Sequence, residues 1–207
     1  GLVSTMLALM YIDNISLEFF DVEQTPLEQA LSLAREGAGR APDNQMSRIV
    51  LARALMLADE LSAAKSEVDA ALELHPDSLL LKDAIGYMLV LLGDWERGAR
   101  LVNEAIRDNP FYRRFARYAT WLDFFRQGAY EAALEETKLM DGVGFFWAPL
   151  SQAATLGMLG RAEESESAVR ELLDLKPDFA ERGRVLIGHC VKFPEIRERL
   201  IEGLAVG

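Results

Sequence analysis

The sequence predicts an all-α chain built from stacked helix pairs, and three observations carry that prediction. Prolines recur at Pro42, Pro76 and Pro110, 34 residues apart each time, and Pro177 follows 67 residues later, one short of two further periods. Glycines at 93, 128 and 160 each separate one apolar-periodic segment from the next. Apolar residues recur at helical spacing, with no alternation of period two, so strands are not supported. A period near 34 divides 207 residues into about six units.

Each unit reads as two helices and a turn. With Gln45 as position 1, Leu51, Ala52 and Leu55 fall at positions 7, 8 and 11, and Ala64 and Ala71 at 20 and 27. The unit from Leu79 puts Ile85, Gly86 and Leu89 at 7, 8 and 11, Gly93 at 15, Gly98 at 20, Ala105 at 27 and Pro110 at 32. The unit from Arg114 gives Gly128, Tyr130 and Ala133 at 15, 17 and 20, but has Trp121 at 8 and Phe145 where proline is expected. The unit from Phe146 restores the pattern, with Ala153, Leu156, Gly160 and Pro177 at 8, 11, 15 and 32. Small residues at 8, 20 and 27 allow two helices to approach closely, and larger apolar residues at 7, 11 and 24 fill the space beside them. Glycine at 15 supplies the positive φ that ends the first helix. Proline at 32 ends the second, since it cannot continue a helix interior.

The ends are less regular. Thr25 and Pro26 read as the N-cap and first position of a helix in "TPLEQALSLAREGAGRAP", whose partner is the apolar stretch 2–13. The segment between them is about ten residues too long for the pattern. After Pro177, "DFAERGRVLIGHCVKF" reads as one helix and "FPEIRERLIEGLAVG" as a last one started by Pro194. Terminal units of a helical array are expected to be atypical, because they cap an open core. The prediction is therefore one domain over 1–207: an irregular first repeat at 1–44, repeats at 45–78, 79–113, 114–145 and 146–179, and capping helices at 180–207. The start at Gly1 fits a piece of a longer protein.

The repeat resembles the tetratricopeptide repeat over roughly residues 24 to 179. That resemblance implies a right-handed superhelix of about five helix pairs, with the first helix of each pair lining a concave groove at positions 2, 5, 9 and 12. Here those positions hold Met46, Ile49, Arg53 and Met56; Leu80, Asp83, Tyr87 and Val90; Phe115, Tyr118, Leu122 and Phe125; and Trp147, Leu150 and Ala154. The face is apolar and aromatic, and 11 of the 18 aromatic residues lie between Phe111 and Trp147. Aromatic side chains give large contact area at low entropy cost, and methionine gives an adaptable surface. The partner-binding candidates are Met46, Ile49, Arg53, Leu80, Asp83, Tyr87, Phe115, Tyr118, Leu122, Phe125, Trp147 and Leu150. Repeat core, or occlusion by a terminal helix of the chain itself, is the competing reading of the same face.

Composition narrows the function classes. The chain carries 22 Lys and Arg against 33 Asp and Glu, a net −11. Nucleic-acid affinity needs clustered cations, so nucleic acid and anionic membranes are not expected partners. The most apolar stretch, 2–12, is too short for a transmembrane helix. Cys190 is the single cysteine, so no intrachain disulfide forms, and a cytoplasmic setting is expected. His189 and Cys190 are adjacent and point about 100° apart on a helix, and His75 sits in a turn, so no metal site, cofactor or catalytic group is expected. No phosphate-binding or nucleophile motif is present, and "GVGFF" at 142–146 has too few glycines to count. Groove lysines and asparagines that clamp a C-terminal carboxylate in some tetratricopeptide proteins have no counterpart here. Arg107, Arg113, Arg114 and Arg117 form a local basic cluster that would either dock an acidic segment or pair with neighbouring carboxylates.

A narrower resemblance lies in "GDWERGARLVNEAIRDNPFYRRFARYATWLDFFRQGAYEAALEETKLM", in "GFFW" and in "PDFAERGR". It is similar to the C-terminal repeat region of bacterial class III adenylate and guanylate cyclases and of winged-helix regulators. It implies a bacterial signalling context and an upstream effector domain, whose catalytic residues have no match in this chain. The expected function is a non-catalytic module that binds a protein or peptide partner in the groove. A small-ligand sensing domain and a scaffold that dimerises an upstream domain are the alternatives, the second implying a homodimer.

Overall fold

A computed structural model of the chain describes residues 1–18, 27–140 and 145–207. Among these residues there are twelve α-helices, one 3-10 turn and no strand. The predicted caps at Thr25 and Pro26, and most of 142–146, lie outside the described residues. The chain divides into two compact units, Gly1–Arg113 and Arg114–Gly207.

The first unit holds three helix pairs. They are α1 (Leu2–Leu17) with α2 (Leu27–Arg40), α3 (Gln45–Leu57) with α4 (Leu61–Leu74), and α5 (Lys82–Leu91) with α6 (Trp95–Asp108). Within it, α3 packs beside both α1 and α5. The small residues of the repeat do the expected work: Ala52, Ala64 and Ala71 are fully buried. A Cβ on Gly98 would lie 2.7 Å from the Gly86 carbonyl oxygen and 2.8 Å from the Val90 amide nitrogen, so α5 and α6 meet backbone to backbone. Asn44 caps α3, its Oδ1 accepting from the Ser47 amide at 2.9 Å.

Position 15 behaves as its residue type demands. Gly93, Gly128 and Gly160 adopt φ of 86°, 76° and 71°. In the unit from Gln45 the same position is Asp59, at φ 60°, so the turn geometry persists where the glycine is missing. Aspartate tolerates this region better than most residues, but not without cost.

The second unit begins with the 3-10 turn Arg114–Ala116. It continues as α7 (Arg117–Arg126), α8 (Tyr130–Leu139), α9 (Trp147–Met158), α10 (Ala162–Leu175), α11 (Phe179–Cys190) and α12 (Pro194–Leu204). Helix α9 packs against α8, α10 and α12. Leu134, Ala153, Leu156 and Ala168 form its buried centre, with Leu159, Val169 and Leu204 against them. Trp121, the outlier at position 8, is buried; its indole Nε1 donates to Thr155 Oγ1 at 3.0 Å, and Thr155 donates to the Ser151 carbonyl at 2.6 Å. The large ring thus replaces a close backbone approach with a hydrogen-bonded wedge. Pro194 opens α12 as expected. The docking of α12 lies outside the repeat pattern: Gly157 of α9 and Gly203 of α12 meet so closely that a Cβ on Gly157 would enter the Gly203 backbone, and one on Gly203 would enter the backbone of Ala154.

Candidate functional site

In the first unit, loops that precede the first helix of each pair converge on an open cleft of about 660 Å³. The turn at 42–44, the loop 75–81 and the segment 109–113 form its walls, and the N-terminal turns of α3 and α5 form its floor. Three predicted binding residues meet there: Met46, Leu80 and Asp83. Leu80 is 76% exposed. Phe111, which the repeat count does not mark, lines the same cleft at 89% exposure. An aromatic ring that open to water is unusual and marks a contact surface more than a core position.

Asp83 is 1% exposed and acts as the anchor of the wall. Its carboxylate accepts from the Ala84 amide at 2.7 Å, the Arg113 amide at 2.7 Å and Arg113 Nε at 3.0 Å, and takes a further bond from Arg113 Nη2. Arg113 Nη2 also donates to the Leu80 carbonyl at 2.9 Å. The pair therefore ties the segment carrying Phe111 to the loop carrying Leu80. Gln45 Nε2 donates to the Ala71 carbonyl at 2.8 Å, fixing the floor. Asp83 was expected on the groove face, but its charge is spent inside the protein rather than offered to a partner.

The remaining predicted residues divide by burial. Arg53 is half-buried and pairs with Asp13 at 2.7 Å. Tyr87 is half-buried and Phe115 is exposed. Ile49, Leu122, Phe125, Trp147 and Leu150 are buried, so the predicted face does not stand open at those five positions. Ring packing covers two of them: Phe125 lies tilted against Trp121 at 5.5 Å and edge-on to Tyr130 at 5.3 Å, and Trp147 stacks on Phe146 at 5.7 Å. Tyr118 meets Trp147 edge-on at 6.5 Å. Burial pushes the Tyr118 phenol pKa well up, and its hydroxyl and the Trp147 Nε1 have no hydrogen-bond partner among the described residues.

The ion pair places Asp13 of α1 beside Arg53 of α3. Val3, Met6, Met10 and Asp13 follow one another at spacings of 3, 4 and 3, the same offsets as positions 2, 5, 9 and 12. Val3, Met6 and Met10 are exposed, and so are Leu2 and Leu7 beside them. The repeat pattern predicts this stretch as a packing partner of the next helix, and its buried side is made by the smaller residues Ser4, Thr5 and Ala8 with Ile12.

The arginine cluster pairs internally. Arg107 bonds Asp108 at 2.6 Å, Arg113 bonds Asp83 and Arg117 bonds Glu136 at 2.9 Å. Among the described residues no group of three or more His, Cys, Asp or Glu could hold a metal ion, and no helix is long and apolar enough to cross a membrane.

Packed helix pairs, positive φ at position 15 and small residues at the pair contacts give an all-α fold consistent with a helical solenoid. Among solved structures the fold is similar to that of the MamA protein, at a TM-score of 0.51 and 16% identity, over 87% of this chain and 96% of that one. No protein-family model matches the sequence, and no curated protein does.

Proposed function

We propose that the chain is a non-catalytic protein-interaction module whose docking site in the first unit is the cleft between Leu80 and Phe111. The observation that carries this is the exposure of those two side chains on walls tied together by the Asp83–Arg113 pair. Two exposed apolar side chains lining one concave surface support a contact site more than either would alone. The likeness to MamA supports a scaffold rather than an enzyme. A bacterial, cytoplasmic signalling role belongs to the same proposal and rests on the sequence resemblance at Gly93–Met140. The test is binding of a selected peptide ligand to Leu80→Ala and Phe111→Ala. Because both side chains are exposed, the variants keep the wild-type circular dichroism. Undiminished affinity in both refutes the site.

The exposed apolar face of α1 favours a second reading, in which the chain also dimerises. Light scattering across a hundredfold concentration range tests it, with Met6→Glu as the disrupting variant. A constant monomer mass eliminates this reading and leaves the cleft untouched.

A further inference from the structure

The cleft has a charge character that restricts what can occupy it. The first unit carries 18 acidic residues against 10 basic ones. Nine of those ten cations are already paired with a carboxylate of the same unit. Around the cleft, Arg48 is held by Glu67, Lys82 by Glu104, Arg107 by Asp108 and Arg113 by Asp83. The acidic residues outnumber the cations by eight. Asp43 is exposed at the cleft wall, with no cation or hydrogen-bond donor on its carboxylate among the described residues, and Asp77 stands exposed in the loop that carries His75 and Ser78.

Several of the cleft's other polar atoms are held by the protein. Asn44 caps α3, Gln45 holds the Ala71 carbonyl, Ser78 Oγ accepts from the Leu80 amide and Asn109 Oδ1 from the Phe111 amide. What remains to meet a ligand, among the described residues, is the Asp43 carboxylate as the one unpaired charge, the His75 imidazole, the amide NH2 groups of Asn44 and Asn109, and the apolar groups of Met46, Leu80 and Phe111. An acidic segment would bring like charge against Asp43, and the one guanidinium lining the cleft, Arg113, is already paired with Asp83. A neutral apolar segment would cover Leu80 and Phe111 but leave Asp43 partly desolvated and unpaired, which costs free energy.

We infer that the occupant is a peptide segment with a Lys or Arg beside an apolar anchor, the cation set against Asp43 and the anchor between Leu80 and Phe111. This rests on the docking reading above and adds the chemistry of the partner. Arginine fits better than lysine, because a planar guanidinium can bond a carboxylate while stacking on an aromatic face.

The experiment is selection of a phage-displayed library of random 12-residue peptides on the full chain at 0.15 M salt. Selected peptides are then synthesised and titrated by fluorescence anisotropy. Titrations use the wild type, Leu80→Ala, Phe111→Ala, Asp43→Asn and, as a charge-matched control in the other unit, Glu131→Gln. The expected result is a consensus of Lys or Arg within two residues of an aliphatic or aromatic residue. Affinity then falls about tenfold in Leu80→Ala and Phe111→Ala, severalfold in Asp43→Asn, and not at all in Glu131→Gln. Peptides that depend on Leu80 and Phe111 but carry no basic consensus overturn the charge inference and leave the docking site standing. Equal losses in Asp43→Asn and Glu131→Gln, which mark a diffuse attraction to an acidic chain, also overturn it. Peptides indifferent to Leu80 and Phe111, or no peptide at all, overturn the docking site as well.

Discussion

Removing Arg113 is expected to damage the first unit more than removing the carboxylate it pairs with. Asp83 is 1% exposed, whereas the Arg113 side chain keeps 35% of its surface in water. In Arg113→Ala the buried carboxylate loses two guanidinium donors and keeps only the Ala84 and Arg113 amides, each at 2.7 Å. An uncompensated buried charge of this kind costs about 3–5 kcal/mol, and the two surviving amide bonds place the expected loss near the lower end, at about 3 kcal/mol. In Asp83→Ala the guanidinium turns to solvent, and the loss comes from the broken bonds and the small void, about 1–2 kcal/mol. The double variant Asp83→Ala/Arg113→Ala has no stranded charge and is expected to be more stable than Arg113→Ala alone. Urea unfolding followed by far-ultraviolet circular dichroism, with all four chains at one pH and salt, gives the cycle. Additive losses, or a double variant weaker than either single one, refute the claim that a buried charge anchors this wall.

Three further outcomes follow from packing and backbone geometry. Gly98→Ala is expected to cost about 1–3 kcal/mol, because its Cβ meets backbone of α5. Gly39→Ala, whose Cβ would meet nothing within 4 Å on α2, is expected to gain up to about 1 kcal/mol; equal effects in the two variants argue against the close helix contact. Asp59→Gly is expected to stabilise the α3–α4 turn by up to about 1 kcal/mol through relief of φ 60°, read as a higher urea midpoint at unchanged slope. Tyr118→Phe removes a hydroxyl with no partner and is expected to raise stability by about 1 kcal/mol. The Tyr118 phenol is held above its ordinary value of 10.0 by burial, so its contribution is complete below that pH and lost as pH rises past it. Wild-type stability should therefore fall above pH 10 more steeply than that of Tyr118→Phe, and identical alkaline profiles would remove the burial argument.

The repeat was legible because its signals are local and redundant. Gly93, Gly128 and Gly160 mark turns that any chain must make in the same way, and Ala52 or Gly86 mark contacts where no larger side chain fits. Counting positions placed helices well but read exposure poorly. Whether Phe125 faces water depends on the rings beside it, and it is covered by Trp121 and Tyr130. Phe111 escaped notice because it lies in a loop after Pro110, outside the helix positions that the offsets describe. The Gly157–Gly203 contact was hidden for a related reason: the partners are 46 residues apart, beyond the reach of a 34-residue period.

The hydrogen-bonded Trp121 wedge makes the chain its own optical probe. Trp121 and Trp147 are both buried in the second unit, whereas the first unit carries only Trp95, half in water. Indole emission therefore reports mainly on Arg114–Gly207, while far-ultraviolet ellipticity weighs helices of both units alike. If the units melt separately, the two signals will part on the denaturant axis, and the wavelength of the earlier transition will say which half of the molecule let go first.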